Sequence, residues 1–349
     1  MTPMGPHRNA RRCQRGAVGL PVPVLTAGAA LLFVLLVMLG LAAGAEGWSW
    51  AWRDEAELIT AIRAPRTLGA LLAGALLGLA GALAQGLFRN PLADPYLLGS
   101  AAGAGLGVVL VLAAGGLVGA ELTAGLGADA ANAVQRLGLV GAAFCGALVG
   151  MLLTLALARG AGRPLTLLLA GVVVGVLLTA LSDLLLLLSP EALRGKQVFL
   201  LGTTSFFGWT SVLSLGIALV LTLPVAVRLS GALDALVLGE ATASSLGLPL
   251  PRLRLLLVAV MALATGTAVA QAGLVAFVGL VAPHLVRRLV VVRHGALLAL
   301  SALAGALLLL AADVAARSLV APQELPVGLL TAVFGGSYLL LLLWQRGLD

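Results

Sequence analysis

Two stretches, Leu165–Leu188 and Leu297–Ala312, run through leucine, alanine, valine and glycine with one charged side chain, Asp183, between them. In hydrocarbon every backbone N–H and C=O must be bonded within the protein, so an unbroken apolar run of this kind crosses as a helix. A transmembrane β-barrel needs strands of about ten residues that alternate apolar and polar positions, and neither stretch alternates. The rest of the chain agrees: it is 61% hydrophobic and only 10% charged, with a mean hydropathy of +1.12. At about 20 residues per crossing, 349 residues hold roughly ten spans and leave no room for a sizeable soluble catalytic domain. The expected fold is an all-α polytopic membrane protein of about ten transmembrane helices, with short broken helices among them.

The apolar runs lie at about Leu20–Ala45, Leu68–Phe88, Ser100–Val118, Leu137–Leu157, Leu165–Leu188, Ser211–Val227, Leu255–Phe277, Leu280–Leu289, Gly295–Val320 and Val327–Trp344. Residues 1–19 form a basic tail, and 20–346 form one membrane domain. The first run follows Arg8, Arg11, Arg12 and Arg15 and imitates a signal peptide, but it is too long for a signal-peptide core and reads as an uncleaved helix. Leu280–Leu289 is too short to span and contains Pro283, which marks a half-helix.

The net charge of +7 is a matter of placement, not of nucleic-acid binding. With the N-terminus inside and ten crossings, 14 of the 21 basic residues fall on the inner side, against four acids there: Asp94, Asp234, Glu240 and Asp349. The positive-inside rule therefore places both termini in the cytoplasm. Cys13 and Cys145 have no CxxC spacing, so neither a disulfide nor a thiolate metal site is expected.

No GxxxxGK[ST] string occurs; the only lysine, Lys196, is followed by Gln197, so the chain has no Walker site for ATP. Gly99, Gly103 and Gly107, Gly74 and Gly78, and Gly171 and Gly175 recur every four residues and predict helix-contact stripes. Asp313 and Arg317 stand at i and i+4 and predict a local ion pair worth a few tenths of a kcal/mol. His284, alone in its segment, predicts a structural hydrogen bond. Arg63 and Arg66 flank Pro65 at the expected start of the second helix, facing water or a partner. Asn90, Pro91, Asp94 and Pro95 make a rigid turn. Leu238–Gly247 reads as a short helix with Glu240 in its first turn, stopped by Gly247 ahead of Pro249.

Taken in order, Arg63-Ala-Pro-Arg-Thr, Gln85-Gly-Leu-Phe-Arg-Asn-Pro-Leu-Ala-Asp-Pro, Leu238-Gly-Glu, Ser245-Leu-Gly, Phe277-Val-Gly-Leu-Val-Ala-Pro-His284 and Glu324-Leu-Pro-Val-Gly328 resemble the FecCD-type permease subunits of type II ABC importers. The resemblance runs from about residue 54 to 346. It implies a permease domain over 20–346 with a coupling segment at about 234–251, paired as a homodimer in the bacterial inner membrane. It also implies two separate cytoplasmic ATPase subunits that carry ATP and Mg, and a periplasmic or lipid-anchored substrate-binding protein. The chain itself would bind no cofactor or metal and catalyse no covalent step.

By the same resemblance Leu238, Gly239, Glu240, Ala241, Ser245, Leu246 and Gly247 couple to the ATPase, while Arg63, Arg66 and Arg317 dock the binding protein. Asn90, Pro91, Asp94, Pro95, Pro283, His284, Pro326 and Gly328 belong to structural or pathway motifs. The pathway would run between two copies, along Leu165–Leu188, Pro190–Ser205 and Val327–Trp344. The expected cargo is an iron chelate, ferric siderophore or haem, with cobalamin as the alternative. From a different class, an ion-coupled secondary transporter would need intramembrane carboxylates, for which Asp183 and Asp313 are the candidates. A membrane-embedded enzyme would need paired carboxylates, clustered histidines or an activated nucleophile, and the sequence offers none of these.

Overall fold

The computed structural model describes residues 21–44, 47–122, 128–158 and 164–346; the basic tail and Cys13 lie outside them. The described chain forms twelve helices and one two-residue hairpin, Ala43–Gly44 with Gly47–Trp48. The helices are α1 Val22–Ala42, α2 Ala56–Phe88, α3 Ser100–Leu122, α4 Ala128–Leu157, α5 Pro164–Leu188, α6 Ala192–Leu201 and α7 Trp209–Val237. They continue with α8 Glu240–Ser245, α9 Leu250–Ala272, α10 Val278–Leu289, α11 His294–Ser318 and α12 Val327–Arg346. Seven are long and apolar enough to cross a membrane, and α3 and α12 carry shorter apolar stretches. The broken helix expected near Pro283 is the twelve-residue α10.

Helix α2 is the axis of the fold: its apolar window is 89% buried, against 11% for α1 at the periphery. Small residues permit that burial. Gly74 and Gly78 face the backbone of α11 at Gly305 and Ser301 so closely that a Cβ on either would strike a carbonyl oxygen. A second seam joins α3 to α4, where Gly99, Gly103 and Gly107 meet Gly150, Gly146 and Ala142 in antiparallel order. Both stripes are as the four-residue spacing requires. Gly171 also packs, on the Leu97 carbonyl, but Gly175 meets nothing within 4 Å. It lies among the exposed Val172, Val173 and Val176. The third stripe is thus a single contact, because α5 touches its neighbours along only one narrow face.

The second helix begins earlier than the apolar run. It starts at Ala56, so Pro65 sits inside it, and the wide turn Ile59–Arg63 has π geometry just before the proline. Pro65 has no N–H to give the preceding turn, and the looser turn accommodates that loss. Arg63 and Arg66 are therefore carried on a continuous helix.

Helix α10 starts part-way along α2. Pro283 cannot donate to the carbonyl four residues earlier, that of Gly279, and it is this carbonyl on which Gly81 of α2 packs. One turn on, Gln85 Nε2 donates to the Leu280 carbonyl at 3.1 Å, and Arg287 donates to Gln85 Oε1. The segment before α10 holds Phe277 at a φ of 67°, a left-handed conformation rare outside glycine, with its ring against Gly335 and Gly336 of α12.

Candidate functional site

Two polar clusters sit at opposite ends of α2, separated by roughly 23 residues of helix, about 34 Å at 1.5 Å per residue. At one end Asp313 of α11 is fully buried and accepts from three donors. Arg66 Nε lies 3.0 Å from Oδ1, Thr204 Oγ1 2.5 Å from Oδ1, and Arg317 Nη2 2.5 Å from Oδ2. Arg66 also forks onto Glu324 at 2.8 and 2.9 Å, and Ser205 Oγ donates to the same carboxylate at 2.6 Å. Arg317 Nη1 donates to the carbonyls of Gly40 and Ala43, at 2.9 and 3.2 Å. Arg63 pairs with Glu55 at 2.8 Å and donates to the Leu41 carbonyl. The cluster thus joins the end of α1, the start of α2, the end of α11, the segment after α6 and the segment before α12.

Two sequence expectations change here. Arg63, Arg66 and Arg317, expected to face water or a partner, are 6%, 5% and 2% exposed. Asp313 and Arg317 do pair at i,i+4, but as a buried hub shared with Arg66 rather than a weak surface pair. The physical reason is desolvation: an arginine at the end of an apolar helix finds its lowest energy with a bidentate carboxylate partner, and two carboxylates stand on the neighbouring elements. The same geometry occupies the ion-transport candidates, since Asp313 is held by two guanidinium groups and Asp183 pairs with Lys196 of α6 at 2.6 Å.

Glu324 is a partly exposed carboxylate of the hub, its side chain 27% accessible. Burial acts to raise its pKa, but the hydrogen bonds from Arg66 and Ser205 and the charges of Arg66 and Arg317 outweigh it, holding the carboxyl below its ordinary value. A carboxyl with a lowered folded pKa stabilises the fold fully above its unfolded pKa, about 4.3, and loses that contribution as pH falls through the lower folded value. The thermal stability of the wild type should therefore fall more steeply below about pH 4.3 than that of Glu324→Gln. Parallel profiles for the two proteins would show that the carboxylate is not held as described.

Next to the hub three backbones meet without side chains between them. Gly202 and Gly273 both have positive φ, 64° and 71°. Leu274 N donates to Phe199 O at 2.9 Å and Thr203 N to Ala272 O at 2.8 Å. A Cβ on Gly328 would strike the Leu201 and Leu274 carbonyls, which explains why glycine stands one residue into α12. Pro326 accepts from Leu329 N and opens that helix. This junction fixes α6 and α12 to the end of α9.

At the other end of α2, the six-residue α8 is set off by Gly239 and Gly247, with φ of 102° and 77°. Glu240 accepts from Arg254 of α9 at 2.6 Å and faces Arg89 at 3.5 Å. Ala243 is buried against the ends of the spans, whereas Leu238 and Leu246 are exposed at 65% and 63%. Asp234, at the end of α7, contacts His294 Nδ1 at 2.6 Å. The expected coupling segment is therefore an exposed helix, Glu240–Ser245, and Asp234 belongs to the preceding span.

The rigid turn forms as read. Asn90 Oδ1 accepts from Leu92 N, and Asp94 Oδ1 accepts from Tyr96 N at 2.8 Å, capping the 3-10 turn Pro95–Leu98. Tyr96 Oη donates to the Val275 carbonyl at 3.0 Å. Pro91 sits exposed at the tip. His284 is half-buried, its ring edge-on to Tyr338 with centroids 5.8 Å apart. Sequence reasoning places Thr204 and Ser205 only as part of the pathway segment Pro190–Ser205 and Gln85 only as part of a motif; the signal for their hydrogen-bonding roles is polarity at the ends of apolar segments. Among the described residues no group of histidine, cysteine and carboxylate side chains could hold a metal ion.

Residues 26–345 match the model of the FecCD transport family. The chain belongs to this family. It is 36% identical over 328 residues to the hemin transport system permease protein of Yersinia pestis, covering 90% of this chain and 95% of that protein. It is 40% identical over 318 residues to the vitamin B12 import system permease protein of Salmonella paratyphi A, covering 90% and 92%. The Fe(3+) dicitrate transport system permease protein of Escherichia coli K12 is 35% identical over 284 residues, covering 80% and 83%. A solved structure of a metal-chelate type ABC transporter, in an inward-facing conformation, superposes with a TM-score of 0.81 at 29% identity, covering 93% of this chain and 99% of that one. This FecCD chain is accordingly a multi-pass transmembrane permease, and the helical architecture expected from its sequence is the architecture of its relatives.

Proposed function

We propose that this permease works as a pair of identical copies in a bacterial inner membrane, with two separate ATPase subunits on the Glu240 face and a substrate-binding protein on the Arg66 face. ATP and Mg belong to the ATPase partners. The observation that carries this reading is α8: a short helix isolated by two glycines, tethered through Glu240 to Arg254 and Arg89, and presenting Leu238 and Leu246 to the surroundings. Such a helix is rigid at its base and apolar at its ends, which suits insertion into a groove of a soluble partner. Leu238, Gly239, Glu240, Ala241, Ser245, Leu246 and Gly247 form the coupling element. The second copy covers the exposed face of α5 and the Leu329, Val333 and Leu340 face of α12.

At the opposite end, Arg63, Arg66 and Arg317 serve docking indirectly: they hold the rim on which the binding protein rests. The chemistry follows from alternating access, with ATP binding at the partner changing the distance between the two α8 helices and opening the inter-subunit pathway to one side at a time. The cargo is an iron chelate, ferric siderophore or haem. Cobalamin is the second reading, favoured by the 40% identity to the vitamin B12 permease. In liposomes holding the permease, its ATPase and its binding protein, Glu240→Arg should leave ATP hydrolysis measurable and lower chelate uptake at least tenfold. Wild-type uptake by that variant would remove the coupling role.

A further inference from the structure

Alongside the first two turns of the broken helix α10 lies a partly open cavity of about 330 Å³, between α10, α11 and α12. Its walls are apolar, formed by Phe277, Val281, Leu285, Leu308 and Phe334, with Tyr338 at one side. The Tyr338 hydroxyl is buried and has no hydrogen-bond partner among the described residues. Along α10 the lining positions 278, 281 and 285 follow one helical stripe, and the next position on it is Arg288. Arg287 turns away to Gln85. Arg288 is exposed and pairs with no carboxylate among the described residues. Arg293, five residues on at the start of α11, is also exposed.

An apolar cleft whose α10 wall runs on to the exposed Arg288, with the exposed Arg293 five residues further along the chain, is complementary to an amphiphile with an anionic head. We infer that this cleft binds an anionic phospholipid, with its phosphate on Arg288 and Arg293 and one acyl chain lying along Val281, Leu285 and Phe334. The Tyr338 hydroxyl donates to an ester carbonyl of the lipid, which satisfies its buried donor. Small residues open this space, since Ala311, Ala312, Ala315 and Gly335 line it from α11 and α12 opposite α10; an acyl chain fills an apolar space of that shape without a polar cost. The orientation rests on the function proposed above, in which the arginines face the cytoplasmic leaflet. Lipid retention is read without transport, so it fails or holds independently of that proposal.

The test is native mass spectrometry of the full chain, purified and exchanged into mixed micelles of phosphatidylglycerol and phosphatidylcholine in equal amounts. The wild type should retain phosphatidylglycerol selectively. Each of Arg288→Gln and Arg293→Gln should reduce that retention roughly fivefold, as expected for one basic side chain near an anionic headgroup. Ala311→Trp, which fills the cleft from α11 without touching an arginine, should reduce it as well. Equal retention of the two lipids, or an unaltered Arg288→Gln variant, overturns the site. Loss in the arginine variants with full retention in Ala311→Trp overturns the acyl assignment in favour of a surface patch. A photoreactive phenylalanine analogue at position 334 should label lipid; labelling of a second copy of the chain would make the cleft a subunit contact.

Discussion

Replacing Asp313 by alanine should lower the stability of the purified permease by about 3–5 kcal/mol, the range for removing one partner of a buried charge pair. The carboxylate is fully buried and accepts from Arg66, Arg317 and Thr204. Its loss leaves Arg317 with only backbone carbonyls and Arg66 with only Glu324, so two almost wholly buried guanidinium groups are left short of acceptors. Asp313→Asn should fall between, since its oxygen still accepts while its amide opposes a guanidinium donor. Thr204→Val removes one hydrogen bond and should cost about 1 kcal/mol. Thermal unfolding in a single detergent measures all three. An Asp313→Ala protein that melts with the wild type would mean that the hub holds nothing together.

The same hub marks the limit of what the sequence discloses. Local spacing exposes the Asp313–Arg317 pair because four residues on a helix are neighbours. It says nothing of Arg66, which meets Asp313 across 247 positions. That all three residues stand near the end of an apolar run is legible in the sequence. Burial was not, because a charge at a helix end has the same local sequence whether it meets water or a carboxylate. Opposite charges gathered at one end of several apolar helices are the signal that points to pairing. Lys196 carries a similar lesson: as a lone lysine it excluded a nucleotide loop, while its actual partner, Asp183, lies on the preceding helix.

The helical segments were easier to read, since apolar length and helix-breaking residues act within a few turns. Gly239 and Gly247 bound α8, and Pro283 lies within a half-helix, as their local chemistry requires. The helix begins before the apolar run because hydropathy marks where a helix meets hydrocarbon, not where its hydrogen bonds begin; Ala56–Arg63 is helical but interrupted by Glu57, Thr60 and Arg63. Glycine spacing predicted the faces of α2 and α3 because their partners also present glycine. On α5 the same spacing produced one contact and one open position, since a stripe of small residues allows close approach without supplying the second helix.

That distinction gives the second large effect, an opposite sign for one chemical change at two glycines. Glycine in a helix is about 0.5–1 kcal/mol worse than alanine where nothing else intervenes. At Gly138 of α4 an added Cβ meets nothing within 4 Å, so Gly138→Ala should be neutral or raise the melting temperature. At Gly81 the added Cβ would run into the Gly279 carbonyl, carbon and Cα, all backbone of α10. No side-chain rotation relieves that contact, so α10 must move off α2, taking with it the Gln85 bond to Leu280. Overpacking of a core costs about 1–3 kcal/mol where side chains yield, and a backbone contact belongs at or beyond the top of that range. Gly81→Ala should therefore destabilise the permease by about 3 kcal/mol despite its better helix propensity, and Gly81→Val should prevent recovery of folded protein. Size-exclusion profiles and melting curves of the two alanine variants decide it. If Gly81→Ala is as stable as Gly138→Ala, then α2 and α10 do not meet backbone to backbone, and the half-helix is held some other way.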